Sequence, residues 1–584
     1  MLDTFKYYVR VIGVWLVFFL LSKMYFLGVN FDKSSSVIEF PRIWLAGLRL
    51  DLSVIGYILA VPLVLTLISI ILPKISRQLN RIYWISVIVL IIIIVAVDPY
   101  FFQYWGQKTN LGFIQFLGKE NAGLGSIFMS TYVIAIGFMV LSIYGFYKKG
   151  FKMLSLPQKT SWYTTLLLLG LTAIVIRGGI SNVPINISSA YYSSSNLYNN
   201  TAVNSVWNFL ATELEKDKHK ALVFFDSNQE AQKILAENLD SDGSNYSDLV
   251  SANDSSNIIL IVLESFSAKV VGFLSGNKYG STPELDKIMK EGISFNSAYA
   301  SSFRSDKGLL ALTTGFPSAA RQTLTNFPSK LSGKPNIFKL FGENYQTGFY
   351  YGGNLEFANI SVLFNDANIV KSQKDFDSKN KNTWGVHDNT VFEIFGNDVL
   401  AEQRPQFKML FSLSSHEPFD VPDFNRLEDP YLNSVAYTDS CLGVLIDRLK
   451  ASPKWENTIV IITADHGTIR PDNAPLFDAI NFKVPMVITG GLVNRDTVVN
   501  QIVSQADIPA TLADLKGEPP FFNQSSILAP SGRAFYSYHD GISYVSPKGV
   551  QYYDLVQKKY LTENVAPPVE RAYYQLANYA FFNP

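Results

Sequence analysis

The sequence predicts an amino-terminal transmembrane domain of five helices followed by an α/β domain outside the membrane, with a mainly parallel sheet flanked by helices and a small antiparallel subdomain at the carboxyl end. Three observations predict it. Apolar segments of near-spanning length crowd the first third of the 584 residues, strand-like and helix-like runs alternate from about residue 257, and tyrosine-rich stretches close the chain.

The apolar segments are residues 9–29, 52–72, 82–102, 127–147 and 162–176. The first four approach the roughly 20 residues that cross a bilayer. The fifth is short, but Arg177 after it and the lysines before it serve as interfacial flanks, which predicts that it spans as well. The loops on the amino-terminal side carry nine lysines and arginines and the alternate loops five, which predicts a cytoplasmic amino terminus. Five spans then place everything after residue 176 outside, in a multi-pass protein of the cytoplasmic membrane with an extracytoplasmic carboxyl-terminal domain. The first segment lacks a small-residue cleavage site and is expected to remain as an anchor. Arg49 and Asp51, at the entrance to the second segment, are expected to pair or to meet lipid headgroups. The aromatic residues at 100–105 read as a loop anchored at the interface.

Composition excludes several function classes. The formal net charge is +0, so no nucleic-acid partner is expected. The single cysteine, Cys441, excludes an intrachain disulfide and any multi-cysteine metal site.

Residues 1–178 are thus the membrane domain and 179–256 a Ser-, Asn- and Asp-rich linker, partly helical at NSVWNFLATELEK and EAQKILAENL. Residues 257–584 are the outer domain. Its predicted strands are NIILIVLES, ISFNSAYA, TGFYYG, KMLFSLSS, TIVIITAD and VPMVITG. Helices are predicted at TPELDKIMKEG, NIFKLFGENY, NSVAYTDSCLGVLIDRLKAS and SQADIPATLADL. The tail FYSYHDGISYVSPKGVQYYDL reads as antiparallel strands.

Functional groups in such sheets collect at the carboxyl ends of strands. Glu264 ends the first strand, either as a turn cap or as a ligand. Asp465 and His466 follow TIVIITA, as a hydrogen-bonded turn or as two ligands to a divalent cation. Ser305 lies between Arg304 and Asp306, with Lys307 and an apolar helical pattern following. It is either a helix cap or a nucleophile at a positive helix end, flanked by cations suited to an anionic substrate. His416 ends KMLFSLSS; with only five histidines in the chain, a place at a strand end suggests a functional role beside the structural one.

The order LES, RSDKG, SSHEPF, ADHG and SQADIPATL, behind five membrane segments, resembles the lipoteichoic acid synthase family of membrane-anchored phosphoglycerol transferases, within the alkaline phosphatase/sulfatase superfamily. The resemblance implies an α/β domain of alkaline phosphatase/sulfatase type. It also implies one divalent ion, manganese with zinc or magnesium as alternatives, held by Glu264, Ser305, Asp465 and His466, with Ser305 as nucleophile. His416 would bind the headgroup, and of the cations flanking Ser305, Arg304 or Lys307 would steer the phosphate. The donor would be a membrane phospholipid and the acceptor a glycan or lipid hydroxyl. The chain departs from the family by a serine where threonine is typical. YGGNLEFANI places Tyr351 for a headgroup-binding histidine, Ala358 for a tryptophan and Ile360 for an arginine. The C/S-x-P-x-R signature of sulfatases is absent at Ser305, so sulfate ester hydrolysis is not expected. Alternative functions are a phosphodiesterase or phosphatase of the same fold, and a non-catalytic membrane scaffold, which predicts missing ligands.

Overall fold

A computed structural model describes residues 2–31, 35–105, 108–109, 129–157, 160–180, 184–193, 195–215, 222–238, 243–320, 322–331, 333–376, 379–472, 474–521, 524–538, 541–562 and 567–582. The chain forms two compact units, Met1–His219 and Lys220–Pro584, so the segment 179–256 divides between them.

The first unit contains α1 (Leu2–Val29), α2 (Phe40–Ile68), α3 (Pro73–Trp105), α4 (Met129–Gly145), α5 (Trp162–Arg177), α6 (Asn196–Ala202) and α7 (Ser205–Glu215). Among the described residues, four helices are long and apolar enough to cross a membrane, and the 16-residue Trp162–Arg177 is shorter. Its rise is about 24 Å, against a hydrocarbon core of about 30 Å. Ser161 caps its start, and Gly178, at φ 82°, ends it. It packs closely on α2: a Cβ at Gly56 would meet Ile176 Cγ1 at 2.8 Å, and Ser53 Oγ donates to the Ile176 carbonyl at 2.7 Å. The aromatic run 100–105 continues helix α3 instead of forming a loop. Residues 127–128, at the start of the fourth predicted segment, lie outside the described residues.

Asp51 pairs with Lys23 of α1 at 2.6 Å, both fully or almost fully buried, while Arg49 donates to the Gly178 carbonyl at 3.2 Å. A second buried pair joins Lys108 to Asp98 at 2.6 Å. Where water is excluded, an unpaired charge is costly, so opposite charges collect in pairs and recruit extra donors. Asn204 donates to Asp51 Oδ1 at 2.8 Å and Ser205 to Asp98 Oδ2 at 2.6 Å, which fastens the stretch after α6 to the apolar helices.

The second unit begins with α8 (Asn228–Glu237), one of the helices read in the linker. Its sheet holds β1 (Asn257–Leu263), β2 (Ile293–Tyr299), β3 (Gln346–Tyr351), β4 (Ile369–Lys371), β5 (Gln406–Phe411), β6 (Thr458–Ala464), β7 (Lys483–Val484), β8 (Met486–Thr489) and β9 (Thr497–Ser504). The order is β4-β3-β5-β1-β6-β8-β2-β7, with β9 beside β2. Pairing is parallel from β4 to β6 and antiparallel around β8, where a short return strand needs no crossover helix. Every residue of β1, β5 and β6 is buried, as expected for strands covered on both faces.

The covering helices are α9 (Pro283–Glu291), α10 (Ser305–Thr314), α11 (Asp388–Ala401), α12 (Pro430–Lys450) and α13 (Ile508–Leu515). NIFKLFGENY forms only a single turn, Ile337–Leu340: Phe341 turns extended and stacks on Phe407 of β5 at 4.4 Å. Helix α11 and strand β9 carry no pattern that the sequence reading recognised. The carboxyl end forms the expected antiparallel sheet, β10 (Ala534–Tyr538), β11 (Gly541–Ser546), β12 (Gly549–Asp554) and β13 (Lys559–Tyr560). Helix α14 (Val569–Phe582) covers it, with Tyr573 stacked on Phe535 at 3.8 Å.

The register of β1 and β6 positions the site. Leu263 lies opposite Ala464 in parallel pairing, so the next residues, Glu264 and Asp465, emerge side by side at the same sheet edge. Helix α10 closes on that edge, and a Cβ on Gly308 would collide with the Asp465 carbonyl oxygen. Gly308→Ala is therefore expected to destabilise the second unit by about 1–3 kcal/mol. Urea unfolding would measure it, and an unchanged midpoint would show that α10 retreats at no cost.

Candidate active site

Four side chains converge where β1, β6 and α10 meet. The Ser305 hydroxyl donates to Glu264 Oε2 at 3.2 Å and lies 3.4 Å from His466 Nε2. His466 Nε2 is 3.4 Å from Asp465 Oδ2 and 3.7 Å from Glu264 Oε1. The structure thus brings together the four residues that the family resemblance implied as ligands. Glu264 and Asp465 are 1% and 0% exposed, a placement that carboxylates rarely adopt unless paired or ligating a cation.

Local hydrogen bonds fix each group. Asp465 Oδ1 accepts from the Ser265 and His466 amides, both at 2.8 Å, and Gln505 holds the Asp465 carbonyl at 2.6 Å. Ser265 bends the chain after β1 with φ 57°, a left-handed conformation that a non-glycine residue adopts at some cost. Its hydroxyl donates to Glu264 Oε1 at 2.7 Å, and Tyr431 holds its carbonyl at 2.8 Å. His466 Nδ1 sits 2.8 Å from the Gly467 carbonyl, a contact that requires a proton on Nδ1 and leaves Nε2 as the acceptor facing the cluster. Burial, together with the neighbouring Glu264 carboxylate, pushes the Asp465 carboxyl up to about 7. Burial opposes charge on His466, yet Asp465 and Glu264 outweigh it and raise the imidazole's affinity for a proton.

These residues fit a divalent cation. Asp465 Oδ2 is buried with no hydrogen-bond partner among the described residues, and one donor atom each from Glu264, Asp465 and His466 lies within 4.8 Å of the others. Two carboxylates and an imidazole form a donor set for manganese, zinc or magnesium alike.

The other predicted residues are placed as follows. Arg304 precedes α10, half exposed, and its Nε bonds Asp306 Oδ1 at 2.9 Å. Lys307 is buried, with Nζ donating to the Ala319 and Ala320 carbonyls at 2.5 and 3.1 Å. Burial lowers its ammonium to about 8. Tyr351 ends β3, stacks on Phe411 at 4.8 Å and is buried; burial first, then Glu264, Asp465 and Asp388, hold its hydroxyl neutral. Ile360 is buried in the core and Ala358 sits in a left-handed turn at φ 49°.

His416 lies on the turn after β5, partly exposed. Ser415 ties that turn to the Glu264 carbonyl at 2.6 Å, and buried Asp388 accepts from the Leu413 and Ser414 amides at 2.7 and 3.1 Å. The His416 ring meets Trp384 at 4.4 Å, and Trp384 meets Phe357 at 5.5 Å. Trp384 was not foreseen. It sits in NTWGVHD, which has no periodicity, and reaches His416 where Gly385, at φ 153°, turns the chain back beside Gly353.

Residues 256–518 match the Sulfatase family model, and the second unit has the fold of an alkaline phosphatase/sulfatase-type domain. A solved alkaline phosphatase superfamily protein from Vibrio parahaemolyticus shares this fold, with TM-score 0.53 and 25% identity over 62% of this chain and 97% of that one. The relatives agree with the resemblance read from the motifs. Lipoteichoic acid synthase 2 of Bacillus subtilis is 22% identical over 63% of this chain and 61% of its own length. Phosphoglycerol transferase I of Citrobacter koseri is 24% identical over 32% of this chain and 28% of its own. The matches thus span less than two thirds of these relatives.

Proposed function

We propose that this protein is a metal-dependent phosphotransferase that moves a phospho-alcohol headgroup from a membrane lipid to a glycan or lipid hydroxyl. The observation that carries the reading is the Ser305 hydroxyl, at the start of α10, held within 3.4 Å of both Glu264 Oε2 and His466 Nε2. Such a serine is a poor nucleophile until its proton is drawn off, and both neighbours are acceptors for it. The amino end of α10 adds a positive dipole where the phosphoryl oxygens would gather.

Ser305 Oγ forms a bond to phosphorus as the bond from phosphorus to the lipid alcohol oxygen breaks, and the serine proton departs with the released diacylglycerol. The acceptor hydroxyl then attacks phosphorus, and the bond to Ser305 breaks as its oxygen regains a proton. A divalent cation held by Glu264, Ser305, Asp465 and His466 would supply positive charge against the charge developing on the phosphoryl oxygens. His416 and Trp384 bind the headgroup. Arg304 stands near the entrance of α10 as the steering cation, with Lys307 fixing the helix by its bonds to the Ala319 and Ala320 carbonyls. The relatives named as phosphoglycerol transferase and lipoteichoic acid synthase support a phosphoglycerol-type group. The extracytoplasmic placement rests on the loop charges and on α5 crossing the bilayer.

Vesicles of headgroup-labelled phosphatidylglycerol, or phosphatidylethanolamine, with the full chain and manganese test the reading by diacylglycerol release. Label on an added acceptor signifies transfer, and label in water signifies the hydrolase alternative. No diacylglycerol from either lipid overturns the proposal. Trp384→Ala is expected to lower kcat/KM about tenfold by removing an aromatic contact to the headgroup, with metal content unchanged.

A further inference from the structure

Between α1 and α4 lies a cavity of about 750 Å³ that the catalytic reading does not use. Val14, Val17 and Leu21 wall it from α1, and Leu141 from α4. Phe18 and Phe146 form its floor, their rings 5.6 Å apart. Tyr25 and Phe138, stacked at 4.2 Å, close one end. Arg10 and Lys149 stand at the other, and none of the lining residues is acidic. Arg10 Nε is buried without a hydrogen-bond partner among the described residues, a costly state for a charged donor unless an anion meets it.

The rise from Arg10 to Tyr25 along the helix is about 22 Å, more than the depth of one leaflet, about 15 Å. An apolar trough of that length ending in two cations matches an extended acyl chain joined to a phosphate. Gly13 and Gly145 keep the trough open: a Cβ built on either meets nothing within 4 Å.

We propose that this trough binds one anionic glycerophospholipid from the leaflet on the amino-terminal side, with an acyl chain along Val14, Val17 and Leu21 and the headgroup phosphate on Arg10 and Lys149. The lipid completes the contact between α1 and α4 that protein side chains leave open. It is a resident of the helices rather than the donor consumed at Ser305.

Native mass spectrometry of the delipidated full chain, offered equimolar dioleoylphosphatidylglycerol and dioleoylphosphatidylcholine, tests this. The anionic lipid is expected to be retained about tenfold over the zwitterionic one, which offers the same phosphate but brings a choline cation against Arg10 and Lys149. Arg10→Gln with Lys149→Gln is expected to bring that ratio close to one. Gly13→Leu with Gly145→Leu is expected to expel both lipids with the cations intact. Equal retention of the two lipids by the unaltered chain overturns the proposal, as does a ratio unmoved by the charge variant or retention unmoved by the filled trough.

Discussion

Replacing Ser305 by alanine is expected to reduce diacylglycerol release at least about a thousandfold, because the group that bonds to phosphorus is gone while the site around it stands. Glu264, Asp465 and His466 are held by β1, β6 and their own hydrogen bonds to Ser265, Gly467 and Gln505, none of which needs the serine hydroxyl. Metal content should therefore survive in the alanine variant, and this separates loss of the nucleophile from collapse of the site. Ser305→Thr retains a hydroxyl at the start of α10 and is expected to keep measurable turnover. Full turnover by the alanine variant would rule out the phosphoseryl route.

Removal of divalent metal is expected to abolish turnover, and manganese to restore it. The same ion should stabilise the fold, since it binds the native cluster and not the unfolded chain: a free concentration a hundredfold above Kd contributes about 2.7 kcal/mol. The reason lies in the cluster itself. Without a cation, Glu264 and Asp465 place two carboxylates close together in a buried site, and Asp465 Oδ2 accepts no hydrogen bond from the described residues. Asp465→Asn removes one charge and one strong ligand, so it should weaken the thermal response to manganese and lower activity together. A full chain whose unfolding midpoint ignores manganese, zinc and magnesium alike would refute the ligand set.

The strand ends were legible because buried parallel strands must be apolar throughout, so a carboxylate closing such a run declares an edge. NIILIVLES and TIVIITAD both show this, and β1 and β6 form over those residues. What was not legible was the company each residue keeps. Lys307 follows the nucleophile by two positions and reads as a substrate cation, yet the helical turn carries it inward to the carbonyls after α10. Trp384 carries no pattern and reaches His416 through a glycine turn. In the membrane unit, hydropathy marked the helices, but the partner of Asp51 is Lys23, 28 residues away, and not nearby Arg49.

The sequence by itself determined which stretches are apolar helices and buried strands, and which residue types stand at the strand ends, because burial dictates composition locally. Only the tertiary structure decided that Leu263 pairs with Ala464, that Gly308 lets α10 close on Asp465, and that Ser305 thereby meets Glu264 and His466. Register and helix approach are set by contacts between residues far apart in the chain, and no local pattern encodes them.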